Sequence, residues 1–265
     1  MKNRILWIGL LASAVGFGPS AGAGRGPAGG PQLDFTEMER FLKNAEVMTV
    51  TKDRVPGRND PWVVMLNDGE STRSCVFKYI DRPRPYSLRS SYKYEIAAYE
   101  LDKLLGFNRV PPVVGREIEG LQGSLQVYLE DCINESDRRL RRLIPPDQKA
   151  FDNALDEINV FENLTACERT QLADIMIHTR DWRVCRVDFA EAFAASPRLL
   201  KGQEIVRSSR KLYDGLRKLG DAAVKTALGP FLEEAETAAL IERKRAILET
   251  LDKLIKEKGE ASVLF

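Results

Sequence analysis

The hydrophobic period of this chain changes near residue 131, and that change limits the fold more than any other feature. Before it, Glu46–Lys52, Trp62–Leu66 and Ser74–Ile80 are short runs rich in β-branched and aromatic residues, with Asn67-Asp68-Gly69 between the second and third. Runs of that kind, joined by such a turn, pack as antiparallel strands. Beyond residue 131, Gln148–Thr165, Ile205–Leu219 and Glu233–Lys258 place apolar residues three and four apart, the spacing of one helix face. Glu135–Leu143 reads as a basic helix, and only Trp182–Val187 reads as strand in this half. Strands gathered before helices predict an α+β chain, with a β-rich lobe over 33–131 and a helical lobe over 132–265.

Two helices are expected in the first lobe. Phe35, Met38, Phe41 and Leu42 share a face over Phe35–Asn44, with Thr36 as the N-cap. Tyr92–Leu105 turns Ile96, Ala97, Leu101, Leu104 and Leu105 to one side and meets Gly106 at the position of a C-cap. Val110–Val114 is then an extended crossing and Gly123–Leu129 a further strand. The last helix lacks a clean heptad and ends at Gly259, so it belongs in a packed lobe rather than a coiled coil.

At the N-terminus, Lys2 and Arg4 precede an apolar run from Ile5 to Phe17 and the small residues Ser20-Ala21-Gly22-Ala23. This is the pattern of a secretory signal peptide over 1–23, cleaved after Ala23. The run is well short of the roughly 20 residues that span a bilayer, so no membrane span is expected after cleavage. Residues 24–32 are Gly, Ala and Pro with one charge before Gln32, a flexible linker. Removing the two leader cations takes the formal net charge from +1 to −1, which gives no basis for a nucleic-acid partner. Cys75, Cys132, Cys167 and Cys185 are an even number in a chain read as exported. One or two disulfides and buried free thiols are both open.

Three polar residues stand where a cleft between such lobes would need them. Lys78 follows Val76 and Phe77 in a strand, so its ammonium either snorkels to solvent or points into the cleft at an anion. Glu95 lies in the next helix, on the side that can reach Lys78. A strand lysine paired with a helix glutamate is how kinases hold nucleotide phosphates. Asp188 leaves the strand Val184-Cys185-Arg186-Val187 and precedes Phe189-Ala190, a place from which a carboxylate can bind a divalent cation. His178, after Ile175-Met176-Ile177, reads as structural, and one histidine does not support a Ser-His-Asp site. Arg54 and Arg58 flank a turn with a single glycine, a poor phosphate loop. Arg138, Arg139, Arg141 and Arg142 read as an exposed helix face, with an acidic partner as the alternative.

The run from Tyr94 to Arg116, Tyr-Glu-Ile-Ala-Ala-Tyr-Glu-Leu-Asp-Lys-Leu-Leu-Gly-Phe-Asn-Arg-Val-Pro-Pro-Val-Val-Gly-Arg, resembles a helix and strand of one kinase family. That family is the secretory-pathway protein kinases related to the Golgi casein kinase, with their atypical bacterial relatives. Gly123–Leu129 and Val187-Asp188-Phe189 resemble later segments of the same family. The resemblance implies a two-lobed atypical protein-kinase-like fold that binds ATP with Mn²⁺ or Mg²⁺. It implies that Lys78 contacts phosphate, that Glu95 supports it or helps hold metal, and that Asp188 binds metal.

The catalytic loop departs from the family pattern of Asp-Arg followed by Asn about five residues on. Here the stretch is Cys167-Glu168-Arg169-Thr170-Gln171-Leu172-Ala173-Asp174. An ungapped match puts Arg169 at the aspartate and Asp174 at the metal-binding asparagine; one insertion puts Glu168-Arg169 in place of Asp-Arg. Glu168 can act as a base and Arg169 cannot, while Asp174 keeps an oxygen ligand for metal. The expectation is an exported kinase-like protein that transfers phosphoryl from ATP to an unknown protein or small-molecule hydroxyl. The alternatives are a catalytically impaired pseudokinase serving as a nucleotide-binding or protein-interaction module, and a nucleotidyl transferase.

Overall fold

A computed structural model describes residues 34–52, 60–84, 87–168 and 171–265. The signal peptide, the linker, Arg54, Arg58 and Arg169 lie outside the described residues. The first helix, α1 (Phe35–Asn44), buries Met38, Phe41 and Leu42 as its spacing predicts. Its cap is Asp34 rather than Thr36: the Asp34 carboxylate accepts from the backbone N–H of Thr36 and Glu37. Thr36 is already inside the first turn, and the stronger acceptor one step earlier takes the free donors.

Strands β1 (Glu46–Thr51), β2 (Trp62–Asn67) and β3 (Thr72–Lys78) run antiparallel, with a turn held by the Asn67 and Asp68 side chains. A small hairpin follows, β4 (Asp81–Arg84) and β5 (Ser87–Ser91). Helix α2 (Tyr92–Leu105) starts on a Ser91 cap and ends where Gly106 takes φ +59°. Strands β6 (Val113–Ile118) and β7 (Leu121–Val127) complete a five-stranded sheet in the order β1-β2-β3-β7-β6. Only Val113 and Val114 of the expected crossing lie in β6, which pairs antiparallel with β7 over the first part of the expected strand Gly123–Leu129. At Gly123 of β7 a Cβ would lie 2.5 Å from the Lys78 carbonyl oxygen and from the Phe77 ring, so only glycine lets β7 close on the end of β3.

The second half has more strand than its composition shows. A three-stranded sheet joins β8 (Cys132–Asn134), β9 (Ile175–His178) and β10 (Val184–Arg186) in the order β10-β9-β8. Helix α3 (Glu135–Leu140) is shorter than the basic run that encodes it, and α4 (Gln148–Thr165) has the expected bounds. The remainder is α5 (Arg210–Lys218), α6 (Asp221–Leu228), α7 (Glu234–Lys258) and α8 (Glu260–Val263). No helix among the described residues is long and apolar enough to cross a membrane.

Two cores result. Alternation in the sheet turns Cys75, Phe77, Val64, Leu66, Leu125 and Val127 toward α1. The larger core belongs to the helices, and α2 contributes to it through Tyr94, Ala98, Leu101 and Leu105. Phe161 of α4 stacks on Phe107 at 4.6 Å and meets the edge of Phe189 at 5.8 Å. The helix that carries Glu95 is therefore packed into the same body as the chain around Asp188. All four cysteines are free thiols, three of them buried, and burial raises each thiol above its ordinary range, which leaves them poor nucleophiles.

Candidate active site

Since Cys75 and Phe77 face α1, the period of two sends Val76 and Lys78 to the opposite face of β3. There they line a small cleft with Glu95 of α2, Val113 of β6 and Ser124 and Gln126 of β7. Among the described residues of the lining Lys78 is the only cation. Its Nζ donates to Glu95 Oε1 in a very close contact and to Asp188 Oδ1 at 2.8 Å. The other Glu95 oxygen accepts the backbone N–H of Phe189 at 3.0 Å. One buried glutamate thus fastens the end of β3 to the chain leaving β10.

Asp188 stands at φ +66°, in the left-handed region that a non-glycine residue enters at a cost. The strain is held by the bonds on either side: Phe189 N–H to Glu95, and Val187 N–H to the Asp174 carbonyl at 3.0 Å. Asp174 closes a short 3-10 turn, Leu172–Asp174, immediately before β9. Its Oδ2 is 3.5 Å from a guanidinium nitrogen of Arg186, and its Oδ1 is buried with no hydrogen-bond partner. A buried acceptor left unpaired costs free energy and calls for a ligand.

The electrostatics follow from this crowding of acids. Burial acts to raise the Asp188 carboxyl, but the Lys78 charge and hydrogen bond outweigh it and hold it at about 2. Lys78 is buried too, which acts to lower it, yet Asp188 and Glu95 keep it above its ordinary value. Glu95 is pushed up by burial, with Lys78 pulling the other way. Asp174 is pushed up to about 7, mainly by burial and only partly offset by Arg186. Glu95 and Asp188 share one lysine, while Asp174 has only the long contact to Arg186, whose closer partner is Glu162 at 2.8 Å.

These residues fit a divalent cation that takes most of its ligands from elsewhere. Among the described residues no three His, Cys, Asp or Glu side chains cluster tightly enough to hold a cation alone. The orphaned Asp174 oxygen and the Asp188 carboxylate offer two hard oxygen ligands, the number Mg²⁺ commonly accepts from protein when phosphates and water complete its shell.

The structure brings together Lys78, Glu95, Asp174 and Asp188. Glu168 is not in that group. It lies exposed on the loop after α4 and makes no hydrogen bond or ion pair among the described residues. His178 pairs with Asp181 at 2.7 Å and closes the β9–β10 turn, as a structural residue would.

Sequence reasoning missed the buried support beneath the site. Arg186 and Glu162 are both almost fully buried and ion-paired, and Arg186 also reaches Cys167 Sγ at 3.4 Å and the Val187 carbonyl. The signal was present: one arginine inside the apolar run Val184–Val187 and one glutamate inside Val160–Leu164. Charges so placed are expelled from a core unless they pair.

No protein-family model and no curated protein matches this chain. Solved structures do. A hydra Fam20 structure determined with sugar superposes over 87% of this chain and 92% of its own, at 18% identity and TM-score 0.64. This is a kinase-like fold. A Golgi casein kinase aligns over 87% of this chain and 78% of its own, at 14% identity and TM-score 0.60. The Helicobacter pylori proinflammatory kinase CtkA aligns over 79% and 95%, at 9% identity and TM-score 0.50. The resemblance carried by Tyr94–Arg116 therefore holds for the architecture: a mixed α+β kinase-like fold with an antiparallel sheet before the helices.

Proposed function

We propose that this chain is an exported kinase-like protein that uses ATP with Mn²⁺ or Mg²⁺ to move a phosphoryl group onto a hydroxyl of a protein or small molecule. The observation that carries the reading is one buried lysine shared by Glu95 and Asp188, with an orphaned carboxylate oxygen on Asp174 beside them. An ammonium has three N–H donors, and two are spent on carboxylates. The third is free for a nucleotide phosphate, with Lys78 held in place by the bond from Phe189 to Glu95.

A divalent cation held by Asp174 and Asp188 would neutralise the phosphates and stabilise the charge on the transferred group. Val76, Val113 and Gln126 line the cleft beside Lys78. In the transfer itself the acceptor oxygen bonds to the γ-phosphorus and its proton passes to the Glu168 carboxylate. The bond from that phosphorus to the β–γ bridging oxygen breaks, and ADP leaves with the electron pair. Glu168 is one methylene longer than aspartate, and a misplacement of about 1 Å can cost on the order of a hundredfold in rate.

Glu168, exposed and without a bond among the described residues, also favours a second reading, a pseudokinase that holds nucleotide without spending it. Export rests on the leader at residues 1–23. The test begins with the thermal midpoint of the protein with and without ATP and Mn²⁺ or Mg²⁺, beside Asp188→Ala. A ligand that binds only the folded state raises the midpoint, so wild type should shift and the variant should not. ATP labelled at the γ- or α-phosphate then separates the outcomes. Transfer of the γ label supports a kinase and transfer of the α label a nucleotidyl transferase. A midpoint shift with neither transfer supports the pseudokinase, and no shift at millimolar nucleotide overturns the proposal.

A further inference from the structure

The basic segment singled out in the sequence has a shape that phosphoryl transfer does not use. Leu140 ends α3 with 81% of its surface exposed, and Ile144, four residues on, is 80% exposed. Leu143 between them is exposed as well. Single exposed aliphatics are ordinary; three within five residues on one exposed turn are not. The turn is also firmly built. Leu143 N–H donates to the Arg138 carbonyl at 3.0 Å, an Arg138 guanidinium nitrogen donates to the Leu143 carbonyl at 2.6 Å, and Arg142 N–H donates to the Arg139 carbonyl at 3.1 Å. Arg138 is pinned from below by Glu135 and lies over the Phe151 ring at 4.9 Å. Its role is to support the turn.

The neighbouring cations are free to act outward. Arg141 and Arg142 are exposed, and neither pairs with a carboxylate among the described residues. Arg139 shares Glu135 with Arg138, yet its side chain remains more than half exposed. Lys149, at the start of α4, adds a further exposed cation.

From this arrangement we infer that the Leu140–Ile144 turn docks on an anionic lipid surface. An exposed apolar turn with arginines beside it in the chain is matched by a partner that is soft, apolar a few ångströms down and negative at its face. A bilayer with anionic headgroups has that profile, and the two attractions together give stable attachment where either alone is marginal. A folded acidic protein would need a preformed groove matched to two projecting aliphatics, and Leu is under-represented among the residues that anchor protein interfaces. Because α3 packs against the 3-10 turn that ends at Asp174, docking would bring the cleft close to the membrane surface. The inference stands whether or not the cleft transfers phosphate.

The test is co-sedimentation of the full chain with vesicles of phosphatidylcholine, or with about one-third of it replaced by phosphatidylglycerol. Leu140→Ser/Ile144→Ser and Arg141→Glu/Arg142→Glu are compared with wild type, with the thermal midpoint confirming that each folds. Wild type should favour the anionic vesicles. Each double variant should lose at least tenfold in partitioning, and salt should weaken wild type more than the arginine variant. Three results would overturn the inference: no preference for anionic vesicles, binding unchanged in both variants (which would assign it to the apolar run at 5–17), or self-association that Leu140→Ser/Ile144→Ser abolishes, making the turn a contact with a second copy.

Discussion

The two walls of the cleft are built to different standards. On the wall that would hold a nucleotide, Lys78, Glu95 and Asp188 come from a strand, a helix and a strand exit, and each is fixed by a bond to another. The wall that would perform the transfer is a loop after α4, with Glu168 exposed and Asp174 buried with an oxygen unpaired. Rigid elements hold side chains closely enough for binding; a loop can do so only when its own residues are tied down. The contrast makes the proposed nucleotide holding and the proposed phosphoryl transfer separable, and each can be tested without the other.

The largest effect should come from breaking what the two walls share. Arg186 touches Glu162 and Asp174 and leads directly to Asp188. Arg186→Met takes the ion-pair partner from buried Glu162, which keeps the Gln203 amide as a donor; removing one partner of a buried pair costs about 3–5 kcal/mol and should lower the thermal midpoint by roughly 10 °C. Adding Glu162→Leu should recover most of that loss, since an apolar pair can replace a buried ion pair without penalty. If the recovered double variant still responds to ATP and metal as wild type does, Arg186 supports the fold alone and not the position of Asp174.

Lys78→Met comes next and acts on the holding wall only. Saturating nucleotide at about a hundred times its dissociation constant stabilises a protein by about 2.7 kcal/mol, roughly 5–10 °C here. That response should vanish in the variant, while the protein stays folded because Glu95 can take up a proton once its cation is gone. A response that survives would make Lys78 a structural ion pair.

Asp174→Asn is smaller and carries a pH signature. The folded protein holds this carboxyl at about 7, above its ordinary 3.8, so between those values it binds more protons than the unfolded chain. Stability without metal then falls as pH rises through that window. Asparagine removes the titration. Without metal, the variant should be more stable than wild type at pH 8, by up to about 4 kcal/mol, and differ little at pH 4. Its ATP response with Mn²⁺ should weaken. A variant that differs from wild type by the same amount at both pH values would show that Asp174 is not strained by its burial.

Much of the architecture was legible because it is local. Hydrophobic period, the turn at Asn67–Gly69 and the caps of α2 depend on residues near in sequence, and α2 and α4 have the predicted bounds. The strand Ile175–His178 was not legible: three apolar residues before a histidine fit a buried strand or a buried helix turn equally well, and only pairing with β8 and β10 decides. The site divides in the same way. Lys78, Glu95 and Asp188 stood out through their placement in apolar or strand-end contexts, and the structure brings them together. Arg186 and Glu162 were passed over because their pairing spans 24 residues and depends on how α4 lies across β10.

Glu168→Gln tests the other wall by itself and should have the smallest effect on stability. The side chain is exposed and makes no bond among the described residues, so the midpoint should move by less than about 0.5 kcal/mol would move it. The nucleotide response should be that of wild type, because Lys78, Asp174 and Asp188 are untouched. Only transfer should change, by about 10²–10⁴-fold if Glu168 takes the acceptor proton, and the loss should appear in kcat rather than in KM. Transfer at the wild-type rate would remove Glu168 from the chemistry. With Arg169 unable to serve as a base, the reaction would then depend on positioning and charge alone, a mode that the dissociative character of phosphoryl transfer permits.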